Sequence, residues 1–460
     1  MRRERVIVVG GGVGGYPAAL RAARLGADVT LVERDKIGGV CLNKGCIPTK
    51  VFLHSASMCE EIKRASLFGL TTEKLEIDFA RVLARKNAII DRLTGGVISL
   101  LKHKNVKVLK GTAAFIDSNS MKILETGEVI SGDKFILATG SIPAQLSIDG
   151  SKHVHLLTSD DLLKMESLPS SLLIIGGGYI GVELGQFYSR MGVKVTIVEM
   201  LNRIIPTEDE EISRALEVSL SKEGISIFTQ ATVEKIEKDG NNKRVILSTS
   251  EGEKEITAAE VAQSVGRRPY YLGMNIEKLG LKTEKGRITV NDKMETNIPY
   301  IYAVGDVTGG IMLAHVAMAE GECAARNALG NPSTISYRAV PRCIYTSPEV
   351  ACVGLTEKDA KKEIGEVQVS RFPFHAIGKA SLMEETGGMI KIVADNKHGE
   401  ILGVHIIGPH ATELIAEAVL AIELEATVEE LAHTIHPHPT LSEGLGEAAM
   451  LLSGGALHLP

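Results

Sequence analysis

Cys41 and Cys46 stand with four residues between them in Gly38-Gly39-Val40-Cys41-Leu42-Asn43-Lys44-Gly45-Cys46-Ile47-Pro48-Thr49-Lys50. In a glycine-bounded loop that then starts a helix, such a pair can close a small disulfide ring. A helix N-terminus also lowers a thiol pKa. A zinc site would need two more ligands at matching spacing, and the sequence has no second cysteine pair of this kind. Cys59, Cys323, Cys343 and Cys352 are expected to be buried small hydrophobes. A second chemical cluster lies near the C-terminus, in His436-Pro437-His438-Pro439-Thr440-Leu441-Ser442-Glu443. Thiol–disulfide exchange needs a base that takes a proton from a dithiol and returns it, and histidine titrates in the right range. A nearby carboxylate can fix its tautomer. Taken alone, two histidines between prolines fit a rigid surface turn equally well.

The elements that would position these groups come as a repeat. Residues 6–33 read VIVVGGGVGGYPAALRAARLGADVTLVE, and residues 172–199 read LLIIGGGYIGVELGQFYSRMGVKVTIVE. Each is an apolar strand, a glycine turn, an apolar-periodic helix, a Gly break and a second apolar strand closing in Glu. Gly10/Gly176, Gly12/Gly178, Gly15/Gly181, Gly26/Gly192 and Glu33/Glu199 keep one constant offset. In G-x-G-x-x-G the first Gly permits the turn, the second lets backbone reach a pyrophosphate, and the third lets helix and strand pack closely. The helix N-terminus then holds the negative charge. Glu33 and Glu199 would each accept a hydrogen bond from a ribose 2′-OH, and the Glu199 carboxylate would repel a 2′-phosphate, favouring NAD over NADP. One such motif is weak evidence. Two in matching context predict two dinucleotide-binding modules.

Ile77–His103 is predicted as a long amphipathic helix, followed by short strands and Phe135–Gly140, with a boundary loop around Pro143–Ser151. Asp209–Glu223 reads helical, Val245–Val265 mostly extended, Tyr300–Asp306 as a buried strand and Met312–Leu329 as a helix. Asn331–Ser333 marks another boundary. From Val340 the pattern changes to strands (Phe372–His375, Met389–Ala394, Gly403–Ile407) and helices (Ala411–Glu423, Leu441–Leu452). The expected architecture is α/β, with two Rossmann-like dinucleotide-binding domains and a C-terminal α+β dimerisation domain. Its divisions are 1–145 and 266–332 for the first module, 146–265 for the second and 333–460 for the last.

A length of 460 residues agrees with about three domains. A hydrophobic content of 44% with 23% charged residues fits a globular chain, and a net charge of −6 gives no field for nucleic acid. No apolar stretch is long enough for membrane insertion. Six cysteines are too few for a disulfide-stapled secreted scaffold. Met1–Glu4 is a short charged lead before the strand-like Val6–Val9, so no uncleaved signal peptide is expected. The cytoplasm is the expected compartment, or an organelle matrix after removal of a presequence.

GGVCLNKGCIPTK resembles the redox-active segment of the class I flavoprotein pyridine nucleotide-disulfide oxidoreductases, the family of dihydrolipoamide, glutathione and mercuric reductases. The likeness covers essentially the whole chain: ATGSIP at 138–143, GGGYIGVELG at 176–185, VGRRP at 265–269, YAVGDV at 302–307, MLAH at 312–315 and HPHPTLSE at 436–443. It implies FAD on the first module and NAD on the second. It makes Cys46 the thiol beside the flavin, Cys41 the interchange thiol, Lys50 and Glu183 a pair beside the flavin, and Tyr179 the gate of the nicotinamide pocket. His438 becomes the base, Glu443 its carboxylate and His436 a neighbour. The implied FAD contacts are Gly10, Gly12, Gly15, Glu33, Lys50, Ala113, Thr139, Gly140, Ser141, Asp306, Met312, Leu313, Ala314 and His315. Those for NAD are Gly176, Gly178, Tyr179, Ile180, Gly181, Glu183, Glu199, Val233 and Gly266. No metal is expected.

Within the family, glutathione-type reductases use NADPH, with Ala where Gly181 stands and arginines near Glu199. Mercuric and large thioredoxin reductases carry a C-terminal cysteine pair, whereas this chain ends SGGALHLP. Flavoprotein transhydrogenases lack the paired cysteines. The resemblance therefore favours oxidation of protein-bound dihydrolipoamide, in a 2-oxoacid dehydrogenase or glycine-cleavage system. Lys44, Val316–Ala319 and Tyr270 depart from the family pattern. They leave open an NADH-dependent reductase of another low-molecular-weight disulfide, or a mercuric- or glutathione-reductase-like enzyme. A reading from another class makes the chain chiefly a docking component of such a complex. The implied partners are a second copy in a homodimer and the lipoyl domains of an acyltransferase or glycine-cleavage carrier protein, since no lipoyl-bearing module is present here.

Overall fold

In the computed structural model, which describes residues 3–459, each glycine repeat seeds its own parallel sheet. Met1 and Arg2 of the charged lead lie outside the described residues. The first sheet runs Ile301–Ala303, Lys134–Leu137, Arg5–Val9, Asp28–Glu33 and Lys107–Lys110. The second runs Ser226–Phe228, Lys194–Val198, Ser171–Ile175 and Glu260–Gln263. Val6 and Val8 pack under the helices Gly15–Arg24 and Ala314–Ala328. Ile7 and Val9 pack on an antiparallel ribbon carrying Phe115, Met121 and Ile130. Both faces are covered, which is why these strands are unbroken hydrophobic runs in sequence. The chain thus leaves the first sheet, builds the second and returns with Ile301–Ala303.

The glycines do the same steric work in both modules. Gly10 has φ +104 and Gly176 has φ +109, and a Cβ there would sit 2.2 Å from the Ala138 carbonyl oxygen or 2.3 Å from that of Ser264. The third glycines meet the first: a Cβ on Gly15 would lie 1.8 Å from the Gly10 oxygen, and one on Gly181 2.1 Å from the Gly176 oxygen. Only glycine lets the helix start against the turn.

Several expected elements shift at their ends, the helices for reasons of capping. The long helix begins at Phe79 because the Asp78 side chain accepts the Arg81 N–H at 3.1 Å. The helix expected from Asp209 is Glu210–Lys222, with Asp209 as its cap. Tyr300–Asp306 is a shorter strand, Ile301–Ala303, followed by a 3₁₀ turn at Gly305–Thr308. The strand expected at Phe372–His375 runs Val367–Pro373 before a turn at Phe374–Ala376.

The C-terminal unit is a five-stranded antiparallel sheet ordered Arg342–Ile344, Glu349–Gly354, Ile401–Gly408, Met389–Asp395 and Val367–Pro373. One face packs against the helices Ala411–Glu423 and Glu443–Ser453, through Ile406, Ile415 and Leu445. The other, through Ile344, Val350 and Ile407, joins the core containing Phe52, Val182, Phe187 and Tyr188. Three units therefore meet on two helices, Cys46–Arg64 and Tyr179–Arg190. The Phe52 and Phe187 rings lock those helices together, stacked at 4.3 Å and 8°, a contact worth about 0.5–1.5 kcal/mol beyond its buried area.

Gly15→Ala is expected to destabilise the protein by about 3 kcal/mol, the upper end for overpacking, because backbone rather than a flexible side chain stands in the way. Gly95 sits mid-helix, where a Cβ would have nothing within 4 Å, and Gly95→Ala should instead stabilise by about 0.5–1 kcal/mol. Urea melts of both variants check the opposite signs.

Candidate functional site

The two-cysteine segment rests directly on the first glycine motif. Gly38 donates its N–H to the Gly11 carbonyl at 2.8 Å, and a Cβ on Gly39 would lie 2.6 Å from Gly12 Cα. The segment expected as a loop is a short helix, Gly39–Lys44, broken at Gly45 before the helix Cys46–Arg64. Asn43 holds it shut, its amide donating to the Ile37 and Gly39 carbonyls at 3.0 and 2.9 Å. Lys44 pairs with Asp35 at 2.5 Å, so its charge is answered outside the thiol pair.

Cys41 and Cys46 are free, half-buried thiols, the reduced state of the pair. Cys41 donates a hydrogen bond to Cys46, which pushes the Cys41 thiol up and, with the Lys50 charge, draws Cys46 down to about 7. Cys46 opens its helix and Lys50 lies one turn later on the same face. Lys50 Nζ donates to both Glu183 oxygens at 3.0 and 2.8 Å, and the Tyr345 N–H donates to Glu183 Oε1 at 2.9 Å. Glu183 is only 2% exposed, in the helix Tyr179–Arg190. The expected Lys50–Glu183 pair is thus a physical ion pair bridging the two modules.

These groups line one cavity of about 1100 Å³. Its walls include the expected Gly10, Gly12, Glu33, Ala113, Thr139, Gly140, Ser141, Asp306, Met312, Leu313, Ala314 and His315, and from the second module Gly178, Tyr179 and Ile180. Gly15 stands outside the lining, behind Gly10. The lining fits a flavin dinucleotide in its chemistry. A Cβ on Gly12 would have no atom closer than 3.7 Å, leaving main chain open to a pyrophosphate at a helix start. Glu33 Oε2 accepts the Gly11 N–H at 2.6 Å and so stands fixed at the strand end. Asp306 is held by the Ser141 hydroxyl, which Arg267 Nε also reaches at 2.8 Å. His315 is tied to the Pro341 carbonyl at 3.0 Å.

The second module repeats the acidic device. Glu199, 7% exposed, accepts the N–H groups of Gly177 at 2.7 Å and Leu201 at 2.9 Å. Arg203, close by in sequence, turns its guanidinium to the Pro206 carbonyl at 3.0 Å. Gly178 has open space where its Cβ would be, and Gly266 lies at φ +98 with the same freedom. Gly176, Gly181, Glu199, Val233 and Gly266 are not part of the shared cavity. Val233 packs its side chain into the core with Leu173 and Val245, which leaves its main chain to face a ligand.

His438 and Glu443 come together but stand apart from the thiols. His438 Nδ1 bonds Glu443 Oε1 at 2.8 Å, and Glu443 Oε2 accepts the Thr440 N–H at 2.8 Å. Burial pulls the Glu443 carboxyl up, and the His438 and Thr440 bonds outweigh it to leave it low. Engaging Nδ1 leaves Nε2 as the free proton acceptor. His438 is 78% exposed and does not line the cavity of Cys41 and Cys46. His436 is structural: its ring bonds Glu417 at 2.8 Å and is raised chiefly by that contact.

Other residues at the site were given no role from the sequence. Arg267 and Tyr345 line the cavity, as does Tyr270, whose ring lies 4.0 Å from the Arg34 guanidinium. Cys323 and Cys352 are buried as expected, whereas Cys59 and Cys343 are half-buried and Cys343 reaches the cavity wall. Burial pushes Cys343 up to about 11, so its thiol is quiet beside Cys46. Among the described residues no cluster could hold a metal ion, and no helix is long and apolar enough to cross a membrane.

A glycine cradle, a paired thiol and a second nucleotide module sharing one cavity define a flavoprotein disulfide oxidoreductase. Residues 4–321 match the pyridine nucleotide-disulphide oxidoreductase family, and residues 340–449 match that family's dimerisation domain. The chain belongs to this family, with FAD and NAD as its cofactors, and the dimerisation domain supports a homodimer. Among individual relatives, it is 42% identical to a dihydrolipoyl dehydrogenase of Bacillus subtilis over 98% of both chains. It is 44% identical to that of Thermus scotoductus, covering 100% of this chain and 99% of the relative. Among solved structures, LpdA of Mycobacterium tuberculosis superposes with a TM-score of 0.90 at 29% identity, over 98% of this chain and 99% of that one. The HOCl-induced flavoprotein disulfide reductase RclA of Escherichia coli gives 0.87 at 28%, over 97% and 100%.

Because Cys46 is held down to about 7, its thiolate is present above that pH and lost below it. Trypsin cleaves after Lys44, which places the two thiols on separate peptides. In the reduced protein, alkylation of the Cys46 peptide should rise with pH through a midpoint near 7, and alkylation of Cys41 should show no such step. Lys50→Met should move the Cys46 midpoint upward.

Proposed function

We propose that the chain oxidises protein-bound dihydrolipoamide to lipoamide, with FAD and NAD⁺, as the shared component of a 2-oxoacid dehydrogenase or glycine-cleavage system. The observation that carries this reading is the Cys41–Cys46 pair, poised by Lys50 and Glu183 in a cavity lined by both modules. Full-length relatives named dihydrolipoyl dehydrogenase favour lipoamide over glutathione disulfide or Hg²⁺. The presence of Glu199, with Arg203 turned away, favours NAD over NADP. Gly10, Gly12, Glu33, Gly140 and Asp306 would hold FAD, and Gly178, Tyr179 and Glu199 would hold NAD. The bound flavin supplies a two-electron relay between the thiol pair and the nicotinamide.

His438 takes a proton from the substrate dithiol through Nε2, and Glu443 steadies the imidazolium. The substrate thiolate attacks Cys41 Sγ of the Cys41–Cys46 disulfide, and Cys46 leaves as a thiolate facing the Lys50 ammonium. The second substrate thiol then attacks its own sulfur on Cys41, closing the lipoamide ring. The Cys41 thiolate released takes a proton, which gives the hydrogen-bonded pair described above. Since His438 stands outside the cavity of its own chain, the base facing Cys41 belongs to the second copy, and two-fold symmetry makes the exchange reciprocal.

Steady-state turnover with lipoamide, glutathione disulfide and Hg²⁺, each with NADH and NADPH, tests the assignment. Lipoamide with NADH should dominate, with NADH favoured over NADPH by roughly 100-fold, or about 2.7 kcal/mol. Glu199→Ala should narrow that gap chiefly by worsening NADH use. Equal kcat/KM for the two coenzymes, or preference for glutathione disulfide, would overturn it.

A further inference from the structure

Tyr345 lies between the strands Arg342–Ile344 and Glu349–Gly354 of the C-terminal sheet, yet it reaches the pair beside the thiols. Its N–H donates to Glu183 Oε1 at 2.9 Å, and its ring centroid is 4.4 Å from Lys50 Nζ. The contact continues along one face of the helix Tyr179–Arg190. Ser347 N–H donates to Gln186 Oε1 at 2.8 Å, and Gln186 Nε2 returns a bond to the Ser347 carbonyl at 2.7 Å. Arg190 reaches the same carbonyl at 3.4 Å. Positions 183, 186 and 190 share a face by helical spacing, so the segment 345–347 is laid along the helix that carries Glu183.

We propose that Tyr345 is a positioning residue, whose ring caps the Lys50 ammonium while its main chain fixes Glu183, holding Lys50 toward Cys46. This deepens the reading above, resting on Lys50 and Glu183 serving the thiol pair. A lysine ammonium bonded to one carboxylate can still swing on its flexible stem. Glu183 bonds it at 3.0 and 2.8 Å, and the electron-rich ring face adds a second, independent contact at 4.4 Å. Lys50 is one of the charges that draw Cys46 down, so a Lys50 free to turn away should leave Cys46 a weaker acid. The contact is made by ring and main chain, which predicts that the ring matters and the hydroxyl does not.

The test is the pH profile of Cys46-peptide alkylation by iodoacetamide, in phosphine-reduced holoenzymes of wild type, Tyr345→Phe, Tyr345→Leu and Tyr345→Met. The Leu and Met variants should both shift the midpoint upward by roughly 0.5 pH units, and Tyr345→Phe should keep the wild-type midpoint. Flavin content and melting temperature identify a misfolded variant, and either ring-free variant that folds decides the matter. Unshifted midpoints in a folded ring-free variant, a Phe variant that shifts as far as Leu, or a wild type with no step at Cys46 would each overturn the proposal. The assay uses neither lipoamide nor coenzyme. A wild type that shows the expected midpoints without lipoamide turnover would therefore sink the functional reading and leave this one standing.

Discussion

Glu183 is a carboxylate at 2% exposure in the seam between two helices, and the site depends on how that charge is answered. A buried carboxylate left alone costs several kcal/mol, so its partners are held as firmly as the core itself. Those partners are Lys50, from the helix that begins at Cys46, and the Tyr345 N–H, from the C-terminal sheet. One carboxylate therefore fixes three units relative to one another. The Phe52–Phe187 stack, further along the same two helices, keeps them in register. Cys46 owes its acidity first to the hydrogen bond from Cys41 and then to the Lys50 charge that this arrangement holds, against burial and the Glu183 charge, which oppose it.

What was legible in the sequence was what local sterics dictate. Gly10 and Gly15, or Gly176 and Gly181, admit no other residue, because each would drive a Cβ into a carbonyl oxygen. Such constraints leave a fixed spacing, and the spacing repeats. The acidic residues closing the strands were legible for the same reason, since Glu33 and Glu199 each brace the glycine turn of their own module. The His438–Glu443 contact spans five residues and could be read from one segment.

Long-range contacts left no such trace. Tyr345 meets Glu183 across 162 residues of sequence, and Arg267 meets Ser141 across 126. Neither residue type nor spacing announces those meetings, which follow from how the C-terminal sheet and the second module fold back on the first. The helical form of Gly39–Lys44 was hidden too, because its glycine-rich composition reads as loop. The Asn43 bonds to Ile37 and Gly39 override that propensity. Lys44 and Tyr270, which depart from the family pattern, find partners in Asp35 and Arg34.

His438 holds the clearest consequence for assembly. Its free nitrogen faces solvent at 78% exposure, outside the cavity that contains Cys41 and Cys46 in the same chain. Under the function proposed above, two copies exchange them, so that the base of one chain serves the thiol pair of the other. The direct measurement is complementation between Cys46→Ser and His438→Ala, each nearly inactive as a homodimer. Unfolded together and refolded as an equal mixture, random pairing gives about half mixed dimers, each with one doubly damaged site and one intact site. Lipoamide turnover of the mixture should then recover to about a quarter of wild type. Turnover no higher than the average of the two parents, with mixed dimers confirmed by mass, would show that each chain completes its own site.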